Sequence, residues 1–415
     1  MTLARILENS QTMKINTGKG TITLSVLLAI WSISAITSLP GLAISPILGD
    51  LNHIFPSATD LEIQMLSSLP SLLIIPFVLL AGRLSVRRDK LRILLLGLFI
   101  FFLSGVACLF ANSMRSLILI SCILGVGAGM VTPFSTGLIV DYFSGEERVR
   151  QLGYSSAINN LSLVLATALT GYLAGVNWHL PFLVYTLPGI SILLAVSLRK
   201  SPTATPDTAS QPSLSPSVIH RHRLGSLMIF YFAITFATLV ISFYTPFLVE
   251  EAKMENSFSG VLISIFFLAI MLPGLFLRQL LRAMRQYSNP LSLLLSAVGL
   301  LLIALSHGKA LWVAGALFTG LGYGVMQPLV YDKTASITPA KDATLALSFI
   351  MAMNYLAVVV CPMIIDLLRP LFHAHTQRFS FLLAGLLLLA MALWSVVARK
   401  GFTFGLAPAY YEKRP

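Results

Sequence analysis

Twelve stretches of this chain are apolar for long enough to cross a hydrocarbon core about 30 Å thick. They fall near residues 21–46, 63–84, 91–112, 115–141, 152–175, 180–198, 225–249, 258–279, 290–306, 310–334, 343–367 and 377–398. A soluble fold has no use for so many unbroken apolar runs, so the chain reads as an all-α membrane protein with twelve transmembrane helices. Composition agrees: 56% of the 415 residues are apolar and 11% charged, against about 45–50% and about 25% in a soluble domain. Little length remains for a soluble catalytic domain, and the expectation is that the chain is not an enzyme. The fifth and sixth stretches are separated only by Asn177, Trp178, His179 and Pro181; an interfacial tryptophan followed by a helix-starting proline predicts a turn there.

An even number of spans puts both ends on one side, and the lysines and arginines decide which. With the N-terminus inward, only Arg115, Lys253, Lys309, Arg369 and Arg378 of the 28 lysines and arginines fall outside. The formal charge of +12 therefore reports orientation in a lipid bilayer, N-in and C-in, and not a nucleic-acid partner. The run from Thr21 to about Pro46 exceeds the roughly 7–15-residue core of a cleavable signal peptide, so it is expected to be a retained first span. The stretch 201–223 holds a Pro, Ser and Thr-rich run and then His220, Arg221, His222 and Arg223. Such a composition cannot bury a core and reads as a flexible linker. The expected organisation is a cytoplasmic tail over 1–20, a six-helix bundle over 21–198, a cytoplasmic linker over 199–224, a second bundle over 225–398 and a cytoplasmic tail over 399–415.

The two bundles repeat one another. Gly125, Gly127, Gly129 and Pro133 in span 4 recur as Gly320, Gly322, Gly324 and Pro328 in span 10, 195 positions later. The same offset carries Arg83 onto Arg278, Arg87 onto Arg282, Lys90 onto Arg285 and Asn159 onto Asn354. Several regions in one register argue for duplicated six-helix halves, the organisation of a carrier whose halves rock about a site near the bilayer midplane. The spaced glycines serve either close helix packing or gating.

Cys108, Cys122 and Cys361 lie in apolar runs without metal-ligand spacing, and neither a metal nor another cofactor is expected. No Walker-type phosphate loop occurs, so energy would come from a gradient. A charge at the bilayer centre is costly, and the span centres carry none. Asp50 and Asp366 fall near outer ends, Asp141 near an inner one, and Asp332 more than a helical turn inside span 10. Asp332 is thus the candidate proton site or, paired with a base, a conformational latch; its neighbour Lys333 is expected to snorkel to the interface. Five histidines, His53, His179, His307, His373 and His375, fall at outer loops, with His220 and His222 in the linker; none forms a proton relay.

The stretch between spans 2 and 3, Gly82-Arg83-Leu84-Ser85-Val86-Arg87-Arg88-Asp89-Lys90-Leu91-Arg92, resembles the signature loop of the major facilitator superfamily. Gly82, Leu84, Arg87 and Lys90 fit that pattern, while Val86 stands at its acidic position and Asp89 at its second glycine. The resemblance implies the family's two pseudo-symmetric six-helix bundles and a latch made by Gly82, Arg87 and Lys90, with Asp141 as the acid facing Arg87. A plain positive-inside anchor is the alternative. By the same resemblance spans 1, 4, 7 and 10 line the substrate cavity, with 5 and 11 flanking it. That selects Trp31, Thr37, Thr132, Thr136, Tyr231, Thr235, Thr238, Tyr323 and Gln327. Asn159 and Asn354, about midway along their spans, are either substrate contacts or hydrogen-bonding glue between helices.

The chain looks like the twelve-span drug and metabolite exporters of that superfamily. It departs from them at Ser121, where they carry an arginine, at Ala166-Thr167 and Thr170-Gly171, where many antiporters have Gly-Pro and Gly-Gly, and in a span 1 without a carboxylate. The expectation is proton-coupled export of small amphipathic or weakly charged compounds by a monomer in the inner (cytoplasmic) membrane. The alternative is an importer or facilitator of a sugar, nucleoside or small organic acid.

Overall fold

The computed structural model describes residues 14–40, 43–44, 47, 51–56, 58, 60–200, 219–255, 257–373 and 376–411. Asp50, His375 and most of the Pro-Ser-Thr-rich linker lie outside these residues, as does the His53 side chain. Among the described residues twelve principal helices follow in chain order: α1 (Leu24–Ile36), α2 (Asp60–Ser85), α3 (Lys90–Cys108), α4 (Met114–Tyr142), α5 (Gly145–Ala174), α6 (Pro188–Lys200), α7 (Arg221–Glu251), α8 (Ser257–Leu275), α9 (Ser288–Leu305), α10 (Lys309–Ser336), α11 (Ala343–Leu371) and α12 (Arg378–Val397). A 3₁₀ turn, Leu180–Thr186, leads into α6, and a short amphipathic helix, Leu277–Met284, leads into α9. With these, eleven helices among the described residues are long and apolar enough to cross a membrane.

Three features differ from the expectations. Among the described residues the first span is helical over 13 residues, roughly 20 Å of rise, because the chain turns at Thr37 and reaches Pro40, which has no N–H to continue the ladder. Before it, β1 (Lys14–Asn16) in the expected tail and β2 (Thr21–Thr23) at the expected start of the first span pair as an antiparallel hairpin with Ile15 opposite Ile22. Its tip needs glycine, since Gly18 has φ +78° and a Cβ there would lie 2.8 Å from the Ser144 carbonyl oxygen. Third, α7 starts at Arg221, so the basic cluster expected at the linker's end opens a helix.

The repeated glycines are explained by packing. A Cβ at Gly125 would meet the Pro70 backbone at 2.7 Å, and one at Gly129 the Ile74 oxygen at 2.9 Å, both on α2; between them, Gly127 faces Phe101 N of α3 at 2.5 Å. In α10, Gly320 and Gly324 face Phe266 and Ile270 of α8, and Gly322 faces Ser292 and Ser296 of α9. Residues four apart share a helix face and the one between them points elsewhere, so three glycines let one helix press on two neighbours at backbone distance.

The chain divides into two compact units: Met1–Gln151 with Leu161–Ile219 and Thr334–Tyr355, and Leu152–Asn160 with His220–Lys333 and Leu356–Pro415. These are not quite the two sequence halves. The start of α11 joins the first unit, where Gly82 packs against Ser348 and a Cβ at Gly137 would lie 2.8 Å from the Thr344 hydroxyl. A short piece of α5 joins the second, where Gly153 and Gly274 of α8 cross backbone to backbone.

Candidate functional site

Within the second unit, α10 presents Tyr323, Gln327 and Tyr331 four residues apart on one face, toward Tyr231 and Thr235 of α7. The Tyr231 hydroxyl lies 2.8 Å from the Tyr331 hydroxyl and 3.5 Å from that of Tyr323. Gln327 Nε2 donates to Tyr231 Oη at 3.3 Å, and Thr235 Oγ1 is 3.3 Å from Tyr323 Oη. Ser156 of α5 completes the chain, donating to Gln327 Oε1 at 2.8 Å. The Tyr231 and Tyr331 rings meet edge to face with centroids 5.6 Å apart. These bonds join hydroxyls and an amide, which suits a ligand recognised by hydrogen bonds and aromatic surface without a full charge. Four expected residues, Tyr231, Thr235, Tyr323 and Gln327, come together here. Thr238 does not join them: its hydroxyl is spent on the Ile234 and Thr235 carbonyls.

The first unit holds a second polar group. Trp31 Nε1 donates to Gln151 Oε1 at 3.0 Å, and the Tyr355 hydroxyl donates to the Thr37 carbonyl at 3.2 Å. Thr132 returns its hydroxyl to Ala128 O at 2.8 Å. Thr136 is buried with no hydrogen-bond partner for Oγ1 among the described residues, leaving an oxygen that a ligand or water would satisfy. Asn159 and Asn354 are half-buried; they belong to the second and the first unit respectively.

The charge pair at the inner end of α4 is made by a different residue from the one the resemblance implied. Lys90 Nζ lies 2.9 and 2.7 Å from the two Asp141 carboxylate oxygens, whereas Arg87 is exposed in the α2–α3 turn. The reason is local. Asp89 caps α3 by accepting from Leu91 N at 3.0 Å, which starts the helix at Lys90 and carries that lysine in toward α4; Arg87 precedes the cap. Lys19 of the hairpin adds a second cation, donating to the Val140 and Asp141 carbonyls at 3.1 and 3.3 Å. Burial, then the nearby Arg148, lowers the Lys19 amine below the ordinary lysine value, against the opposing pull of Asp141.

Asp332 and Lys333 are 2% and 3% exposed. Lys333 does not snorkel: its amine turns inward onto the backbone carbonyls of Phe402, Thr403 and Gly405, beyond α12. Sequence reasoning missed Tyr331, Ser156, Gln151 and Tyr355. Tyr331 was accessible as the next member of the four-residue stripe Tyr323, Gln327; the others carry no local signal, because their partners come from distant spans.

A family model described as the Major Facilitator Superfamily matches residues 23–357. Over 371 residues the chain is 26% identical to YceJ of Bacillus subtilis (strain 168), described as an uncharacterized MFS-type transporter, covering 86% of this chain and 92% of that protein. A segment of 142 residues, 33% of this chain and 36% of the relative, is 32% identical to the quinolone resistance protein NorA of Staphylococcus aureus (strain Mu50 / ATCC 700699). Among solved structures, the proton:xylose symporter XylE shares the fold at a TM-score of 0.71 and 14% identity, over 91% of this chain and 95% of that one. With the family's match running from the hairpin's last residue into α11, and the same helices found by structure, this chain belongs to the Major Facilitator Superfamily and is a multi-pass membrane transporter.

Proposed function

We propose that this transporter is a monomeric secondary carrier of the cytoplasmic membrane, working by alternating access and exporting small amphipathic or weakly charged compounds in exchange for protons. The carrying observation is the hydroxyl and amide cluster of Tyr231, Thr235, Tyr323, Gln327 and Tyr331. Its aromatic faces and neutral donors favour a substrate with apolar area and a few hydrogen-bonding groups over one with a fixed charge. The partial likeness to NorA, a quinolone resistance protein, supports export. Ser156 comes from the first sequence half and Gln327 from the second, so their bond is one that rocking halves would break and remake.

Import or facilitated passage of a sugar, nucleoside or small acid is the second reading. Ser121 and Ala166-Thr167, together with the fold shared with a xylose symporter, favour it. Uptake and efflux of a labelled compound panel in proteoliposomes, with and without an imposed pH gradient, separates the two. Exchange against the gradient supports export, accumulation along it supports symport, and indifference to it removes proton coupling.

In this reading Asp332, buried near the inner end of α10, either binds the coupling proton or acts as a latch. Asp332→Asn is expected to slow transport about tenfold, a barrier change of about 1.4 kcal/mol, or to flatten its pH dependence. Unchanged rate and unchanged pH profile would remove Asp332 from the mechanism. Alanine at Asn159 or Asn354 should weaken substrate binding with little loss of folded protein, whereas loss of protein with unchanged affinity would make them glue.

A further inference from the structure

The stretch that follows α12, expected to belong to a cytoplasmic tail, is folded back and packed over residues 401–406. After α12, Gly401 N donates to Ala398 O at 2.8 Å and Gly405 N to Gly401 O at 2.7 Å, and a Cβ at Gly405 would strike the Arg399 carbonyl oxygen. The chain thus reverses over two glycines four apart, and at Gly405 a side chain would not fit. The reversed segment meets three helix ends of its own unit. Lys333 of α10 donates to the carbonyls of Phe402 at 3.1 Å, Thr403 at 2.8 Å and Gly405 at 2.6 Å. Asn289, buried at the start of α9, donates to Phe404 O at 2.8 Å. The Phe404 ring stands edge-on to Phe230 of α7, centroids 5.3 Å apart, and the Arg223 guanidinium lies 5.3 Å from the centre of the Phe402 ring.

A buried ammonium is a functional flag in a membrane helix, and the first suspicion would be a coupling proton. Here its three N–H donors match three backbone carbonyls, the satisfaction a buried cation requires. The same chemistry occurs in reverse at the other terminus, where Lys19 of the hairpin reaches the last carbonyls of α4, the repeat mate of α10.

We propose that residues 401–406 form a clasp that holds the inner ends of α7, α9 and α10 together, and that Lys333 is its anchor and not an ion carrier. The clasp holds α10 two residues beyond Tyr331 and α7 at the residue before Tyr231, so its seating fixes the inner boundary of the tyrosine cluster whatever the substrate. With the clasp seated the three helix ends move as one block; unseating it frees α10 and takes three carbonyl acceptors from a buried cation.

The test uses the full chain with Cys108, Cys122 and Cys361 replaced by alanine and Leu406→Cys introduced at a buried position. In inside-out vesicles a membrane-impermeant maleimide should label the introduced thiol slowly, at least tenfold faster with Lys333→Met added, and at an unchanged rate with Lys400→Met. Equal labelling with and without Lys333 overturns the clasp. Thermal unfolding of the purified proteins gives an independent reading. Deleting residues 401–415 should lower the melting temperature, and Lys333→Met added to the deletion should recover at least half of the loss. A deletion without effect, or a Lys333→Met as harmful in the deletion as in the full chain, overturns it equally.

Discussion

Gly322→Leu should leave no folded protein in the membrane, while Gly260→Leu should leave the yield unchanged. A Cβ at Gly322 already overlaps the Ser296 side chain and the Ser292 carbonyl, both on α9, whereas one at Gly260 finds nothing within 4 Å. Even Gly322→Ala forces α9 and α10 apart; overpacking of a close-packed core costs about 1–3 kcal/mol, and leucine adds three more carbons at the same crossing. Gly127→Leu, the repeat mate, should fail as completely against Phe101 of α3. Detergent-solubilised yield of monodisperse protein and the melting temperature of the alanine variants check this. A well-folded Gly322→Leu would mean that the repeated glycines do not set the interhelical distance.

The second large effect is expected at the charge pair of Lys90 and Asp141, 2.7 Å apart with side chains 24% and 12% exposed. Removing one partner of a fully buried pair costs about 3–5 kcal/mol; with this much solvent contact, Asp141→Asn should cost about 2 kcal/mol. That variant leaves Lys90 and Lys19 together at the end of α4 without a carboxylate between them. Lys90→Met should cost less, because Lys19 still faces Asp141, and the double variant should be closer to the original protein than Asp141→Asn alone. Melting temperatures of the four proteins give the coupling directly. Arg87→Met, by contrast, should be nearly neutral, since Arg87 is exposed; equal losses at Arg87 and Lys90 would return the arginine to the latch.

The spans and the repeat can be read from sequence because both are one-dimensional signals: an apolar run of span length, and glycines in a fixed register. What those glycines touch cannot, since α2, α3, α8 and α9 are known as neighbours only once the helices pack. The latch shows the same limit in miniature. The sequence places Arg87 and Lys90 three residues apart, and only the Asp89 cap, which starts α3 between them, decides which one reaches Asp141. The tyrosine stripe of α10 is half visible: the resemblance selects Tyr323 and Gln327, while Tyr331 is overshadowed by the charged pair that follows it. The clasp escapes notice because short aromatic segments flanked by glycine, such as 401–406, have no period to betray them, and a basic end suggests solvent. Likewise residues 14–20 read as tail and 21–23 as the start of the first span until two short strands pair across them.

The central claim, that the halves rock and carry the substrate across, is tested most directly at Ser156 and Gln327, whose side chains meet at 2.8 Å. In a chain otherwise free of cysteine, Ser156→Cys and Gln327→Cys can be joined by a short cleavable bis-thiol reagent in proteoliposomes, and transport of the best panel compound followed before joining, after joining and after cleavage. Rocking halves predict transport at background while the link is intact and recovery when it is cleaved. Transport at the unlinked rate through an intact link would contradict alternating access by separation of α5 from α10.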